Sequence, residues 1–154
     1  MRLKNASLLA LSLLAACATG PVEVRREVSD SPERVVDRIA ARLSELGLTV
    51  SDRSAAGLAA RSVSALPAWA ACPPRRVGGG DDRRVIASAR TRQAQIRVDL
   101  VPMDGRTQVE VQAIFTASYT NPIRAETFTA DCRSNGVIEA AVLEAAGEQA
   151  TPPS

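Results

Sequence analysis

The chain has 154 residues, 45% of them hydrophobic and 23% charged, with 19 Lys and Arg against 17 Asp and Glu. That length builds one domain around a single core, and the complete lack of histidine removes the commonest general base, proton shuttle and metal ligand. The small positive balance rests on Arg2 and Lys4; without the first 16 residues the chain holds 17 arginines, no lysine and 17 acids. A formally neutral chain lacks the basic surplus that nucleic-acid binding asks for.

Arg2 and Lys4 open a short positive segment, followed by the apolar run ASLLALSLLA, Ala6–Ala15. The pattern is that of a secretory signal peptide, and it falls short of the roughly 20 apolar residues a membrane-spanning helix needs. The small residues at its end run into Leu14-Ala15-Ala16-Cys17. This stretch resembles the bacterial lipobox at all four positions. The resemblance implies that Cys17 becomes the first residue of the mature chain, bearing a diacylglycerol thioether and an N-acyl group, and that the partner at this end is the membrane itself. Stable anchoring needs only two lipid signals, so three acyl chains hold permanently. With Ala18 rather than Asp after the cysteine, the same resemblance implies an outer-membrane location facing the periplasm. The expected organisation is a signal peptide over 1–16, a lipidated tether over 17–21, one domain over 22–147 and a disordered tail over 148–154.

VEVRREVS, 22–29, predicts a first strand with Val22, Val24 and Val28 on one side, an alternation that Arg26 breaks. Ser31-Pro32-Glu33 predicts a helix start. Val35, Val36, Ile39, Ala40, Leu43 and Leu46 follow at helical spacing to a stop at Gly47. Strands are expected over 48–53 and 58–64, joined by the turn Ser54–Gly57. ALPAWAACPPRRVGGGDD, 65–82, predicts a loop on its three prolines and three consecutive glycines. Asp81 and Asp82 follow those glycines where a phosphate-binding loop would carry Lys and Ser or Thr.

Beyond it Ile96, Val98 and Leu100 alternate with Gln95, Arg97 and Asp99, and a turn falls at Pro102–Gly105. Thr107–Tyr119 returns with Val109, Val111, Ala113, Phe115, Ala117 and Tyr119 on one face. A last strand is expected over 123–132, and then a helix capped by Ser134 or Asn135 with the stripe Val137, Ile138, Ala141, Val142 and Ala145. Two amphipathic helices and about five or six antiparallel strands with one polar face predict an α+β two-layer sandwich, both helices on one face of the sheet.

The lipobox, the SPE helix start, the segment LGLTVSDRSAAGLAAR (46–61), the Cys72 loop and the closing CRSNGVIEAAV (132–142) together resemble small proteobacterial envelope lipoproteins of unknown function. Their order of elements is similar to the helix-grip domains of the accessory lipoprotein of the outer-membrane barrel-assembly machinery. The resemblance covers nearly the whole mature chain and implies a helix-grip-like fold and an envelope protein as partner.

With Cys17 acylated, Cys72 and Cys132 remain as an even pair in an oxidising compartment, and a disulfide is the leading expectation over free thiols or a metal site. Two thiols without histidine make a poor zinc site, so no metal is expected. Seven arginines lie between 75 and 97 against Asp81 and Asp82 alone. Arg90, Arg92 and Arg97 are the candidate contact for an anionic group, the alternative being a solubilising strand face. No G-x-S-x-G nucleophile motif is present. The expected role is therefore a non-catalytic binding or assembly module with no cofactor beyond its lipid. The alternative is a small-ligand or lipid carrier with a pocket between helix and sheet lined by Val109, Val111 and Phe115.

Overall fold

The computed structural model describes residues 22–62, 69–78 and 84–147. Its scaffold is a long antiparallel ribbon of β7 (Ala89–Met103) and β8 (Arg106–Thr120), paired from Ala89 opposite Tyr119 to Met103 opposite Arg106. Along β8 the residues alternate between buried and more exposed, as the period-2 pattern predicts. On the far side of β7 lie β3 (Gly57–Ser62) and then β2 (Thr49–Ser54). The other edge of β8 is shared. Its first half, Thr107–Ala113, pairs with β1 (Val22–Val28), and its second half, Phe115–Thr120, with β9 (Thr127–Ser134). A two-residue strand, β4 (Ala70–Ala71), closes the order outside β9 and completes a seven-stranded sheet.

The two helices, α1 (Pro32–Glu45) and α2 (Val137–Ala146), pack against each other and cover one face of the sheet. Val35, Ile39 and Leu43 of α1 and Ile138 and Val142 of α2 meet Leu58, Ile96, Val98, Val109, Val111 and Phe115 in one core. This is the expected α+β sandwich. A second, smaller layer continues over the same face: the hairpin of β5 (Arg75–Gly78) and β6 (Arg84–Ala87). Beneath it Ala87, Ala117 and Tyr119 are buried with Val77, Ala89 and Phe128 around them. The Tyr119 ring stacks on Phe128 with centroids 5.4 Å apart, and its hydroxyl donates to the Pro73 carbonyl at 3.0 Å. Cys72 and Cys132 are bonded beside this cluster, Cα atoms 4.5 Å apart.

Four expectations need correction. The segment expected as a loop over 65–82 holds β4 and β5, and β5 finds its partner in β6 further along the chain. The last strand starts at Thr127 rather than 123, because Asn121 Oδ1 accepts from the backbone N–H of Ile123 and Arg124 and folds 121–126 into a turn. The helix α2 has Gly136 as its N-cap; Ser134 Oγ accepts from Gly136 N–H and Asn135 Oδ1 from Val137 N–H, one residue earlier than a capping side chain would act. Its buried stripe is Ile138, Glu139, Val142, Leu143 and Ala146, while Val137 is 49% exposed. The signal segment, the lipobox with Cys17, Asp81 and Asp82, and the tail lie outside the described residues.

Candidate functional site

Covering one face of the sheet leaves the other uncovered, and it is built by the alternate residues of four strands. Register places Thr49, Arg61, Gln95 and Ile114 in one row across β2, β3, β7 and β8. The next row holds Ser51, Ala59, Arg97 and Gln112, and the next Gly57, Asp99, Glu110 and Arg25 of β1. Small residues at Gly57 and Ala59 lower the floor beside the taller Arg61, Arg97 and Gln112. The result is a concavity of about 730 Å³ that these residues line together with Asp52, Gln95 and Ile114.

Gly57 is required where it stands: its φ is +141°, and a Cβ there would lie 2.0 Å from the carbonyl oxygen of Val98. The close approach seats the start of β3 directly on the backbone of β7.

Two of the arginines on this face are matched by acids, while Arg61 is not. Arg97 Nε donates to both oxygens of Asp99 at 3.1 and 2.9 Å, and this hydrogen bond, with the carboxylate's charge, raises the guanidinium pKa above its already high ordinary value. Arg25 bridges Glu110 at 3.2 Å. The face offers amide, hydroxyl and guanidinium donors around the half-exposed Ile114, which is the chemistry of polar recognition. Among the described residues no group of three or more Cys, Asp or Glu is placed to hold a metal ion, and no helix is long and apolar enough to cross a membrane.

The three arginines singled out from the sequence do not converge. Arg97 faces the open trough, paired with Asp99. Arg92 stands opposite Ala117 on the covered side, and Arg90 falls in the irregularity between Ala89 and Thr91, where the register shifts by one. The bulge separates residues that a plain alternation puts on one face with a fixed spacing. The space between helices and sheet is filled: Val109 and Val111 are completely buried and Phe115 is 3% exposed, all within the main core.

Two structural sites escaped the sequence reading. Glu139 is 1% exposed, with Oε1 accepting from Ser134 Oγ at 2.6 Å and Oε2 unpartnered; its place in an apolar helical stripe was the available signal. Arg26, the residue that broke the alternation of β1, faces the helices and donates to the Leu143 carbonyl at 3.0 Å. Comparison with protein families, with curated proteins and with solved structures finds no match to this chain.

Proposed function

We propose that the protein is a lipid-anchored, non-catalytic module on the periplasmic side of the bacterial outer membrane, and that it binds an envelope protein through the open face of its sheet. Support for the anchor comes from Leu14-Ala15-Ala16-Cys17 at the end of a ten-residue apolar run. The observation that carries the binding role is the uncovered trough over β2, β3, β7 and β8, with polar donors arrayed around Ile114. An antiparallel sheet tolerates one wet face, but a flat solvated face does not need a concavity lined by a glycine at a φ that other residues rarely adopt. A carrier function is the weaker reading, since its pocket would occupy the space that Val109, Val111 and Phe115 fill.

The test has two arms on one preparation. Mass spectrometry of the membrane-extracted chain is expected to find a chain starting at Cys17 with the mass of three acyl chains, absent from Cys17→Ser; unmodified soluble wild-type protein sinks the anchor. A photo-crosslinking residue at Gln112 is expected to capture a discrete envelope protein whose yield falls in Arg97→Glu, with no capture from the same residue placed at Arg34 on the outer surface of α1. Equal capture from both positions sinks the binding face.

A further inference from the structure

The arginines of the domain divide by whether they have an acid. Arg25, Arg34, Arg38, Arg42, Arg53, Arg97 and Arg106 each bridge a carboxylate. Of the others, Arg26 and Arg75 donate to backbone carbonyls, and Arg61, opposite Gln95, and Arg133, opposite Ala71, stand singly; Arg76, Arg90, Arg92 and Arg124 have no side-chain partner among the described residues and lie toward one end of the molecule. Arg76 lies on the outer surface of the β5–β6 hairpin, directly opposite Ile86. Arg90 and Arg92 follow on the stretch of β7 that runs past the last residue of β3, so that edge has no neighbouring strand among the described residues. Arg124 belongs to the turn 121–126, which is tied to the hairpin by a hydrogen bond of 3.4 Å from Asn121 Nδ2 to the Gly78 carbonyl.

Two large apolar side chains stand among these charges without cover: Ile86 is 66% exposed and Ile123 51%. Across 75–92 and 121–127 the sequence carries seven arginines against three acids, Asp81, Asp82 and Glu126. These two stretches of sequence thus carry a surplus of four positive charges, although the chain beyond the signal is neutral.

We propose that this end of the domain seats on an anionic phospholipid surface, with Ile86 and Ile123 entering the headgroup boundary and Arg76, Arg90, Arg92 and Arg124 pairing with phosphates. Exposed isoleucines ringed by arginines combine the two attractions that hold interfacial proteins, apolar burial and electrostatics. The guanidinium fork suits phosphate oxygens in pairs. The contact is weak alone, and it rests on the anchor of the proposed function for its strength: a lipid on Cys17 keeps the domain within a tether's length, where a weak second contact is effectively intramolecular. Its consequence is a fixed orientation of the trough in place of a free swivel.

The test uses the full chain extracted from membranes and reconstituted into vesicles of phosphatidylcholine with phosphatidylglycerol, or of phosphatidylcholine alone. Amide hydrogen exchange over 84–92 and 121–127 is expected to slow severalfold on the anionic vesicles only. The slowing should vanish in Ile86→Ser/Ile123→Ser and in Arg76→Glu/Arg124→Glu, and persist in the charge-matched Arg34→Glu/Arg42→Glu on α1. Equal exchange on the two vesicles, or slowing that survives both double variants, overturns the proposal. A chain that proves to carry no lipid is added to the same vesicles and its sedimentation with them is read, each arginine removed costing about fivefold in partition; loss of the anchor and loss of this contact are thus separate results.

Discussion

Two arginines far apart in sequence finish a helix that cannot finish itself. The last turn of α2 has no basic residue, and its open carbonyls are met from elsewhere: Leu143 by Arg26 at 3.0 Å, Ala145 by Arg38 Nε at 3.1 Å, and Ala146 by Arg38 as well. Asp30 in turn holds the Arg38 guanidinium at 2.9 Å. Positive charge at a helix C-terminus also interacts favourably with the negative end of the macrodipole. Arg38→Met keeps the apolar stem and removes the fork, so urea unfolding should give a stability lower by about 2 to 3 kcal/mol. Arg38→Lys should recover less than half, because a single ammonium cannot span both carbonyls and Asp30; full recovery by lysine would show that charge alone acts. The Ser134 and Glu139 pair makes a second residue-scale prediction. Ser134→Ala strips the buried carboxylate of its hydroxyl donor and should cost about 2 kcal/mol or more, whereas Ser134→Ala/Glu139→Met should cost less than Ser134→Ala alone. A double variant that simply adds the two losses would place Glu139 outside the pair's energetics.

At the scale of elements, what the sequence discloses depends on whether each element has its reason nearby. The unbroken alternation of Val109, Val111, Ala113, Phe115, Ala117 and Tyr119 in β8 and the Ser-Pro-Glu start of α1 are local signals, and both elements stand where they are expected. The hairpin of β5 and β6 is not local in that sense: its strands are four residues each, separated by a glycine-rich segment, and hold their place through Val77 and Ala87 on the Tyr119 cluster and through the Cys72–Cys132 bond. The candidate arginine face failed for a related reason, since the register irregularity at Arg90 is set by pairing with Tyr119 and Ser118 across the ribbon. The open trough was legible only as a polar strand face, because its lining comes from the cross-strand register of β2, β3, β7 and β8, with Gly57 pressed against Val98. Gly57→Ala should therefore cost about 3 kcal/mol or more, the price of a Cβ inside a carbonyl's van der Waals shell combined with a positive φ; a near-neutral outcome in denaturant unfolding would mean that β3 can shift freely on β7. The disulfide, joining positions 60 apart, should contribute about 4 kcal/mol on the chain-entropy account. In Cys72→Ser/Cys132→Ser, hydrogen exchange should accelerate first over β5, β6 and β9 and last over the β7–β8 ribbon; uniform acceleration would mean that the second cluster unfolds only with the main core.

For the whole molecule, the proposed anchor and the proposed lipid contact of the arginine-rich end, taken together, set a geometric condition. Val22 pairs with Ala113, seven residues short of Thr120 at the end of β8, a distance of about 24 Å along the strand at roughly 3.4 Å per residue. From Cys17 to Val22 there are five peptide units, which reach no more than about 18 Å when fully extended. A domain standing upright on its arginine-rich end would hold Val22 too high for a lipid on Cys17 to stay in the bilayer. With both contacts made, the strands would have to lean by roughly 40° or more from the membrane normal, the angle at which 24 Å projects to 18 Å. The hairpin bearing Ile86 lies over the same side of the sheet as the helices, so leaning toward that side lowers Ile86 to the lipid and turns the open trough away from the membrane. Polarised infrared spectroscopy of oriented anionic bilayers is expected to report that lean in the wild-type chain, and a ten-residue Gly/Ser spacer inserted after Cys17 should let the strands rise toward the normal while the exchange protection of 121–127 remains. Upright strands in the wild-type chain, or a tilt indifferent to the spacer, would mean that the short tether and the arginine-rich end do not act on the same bilayer.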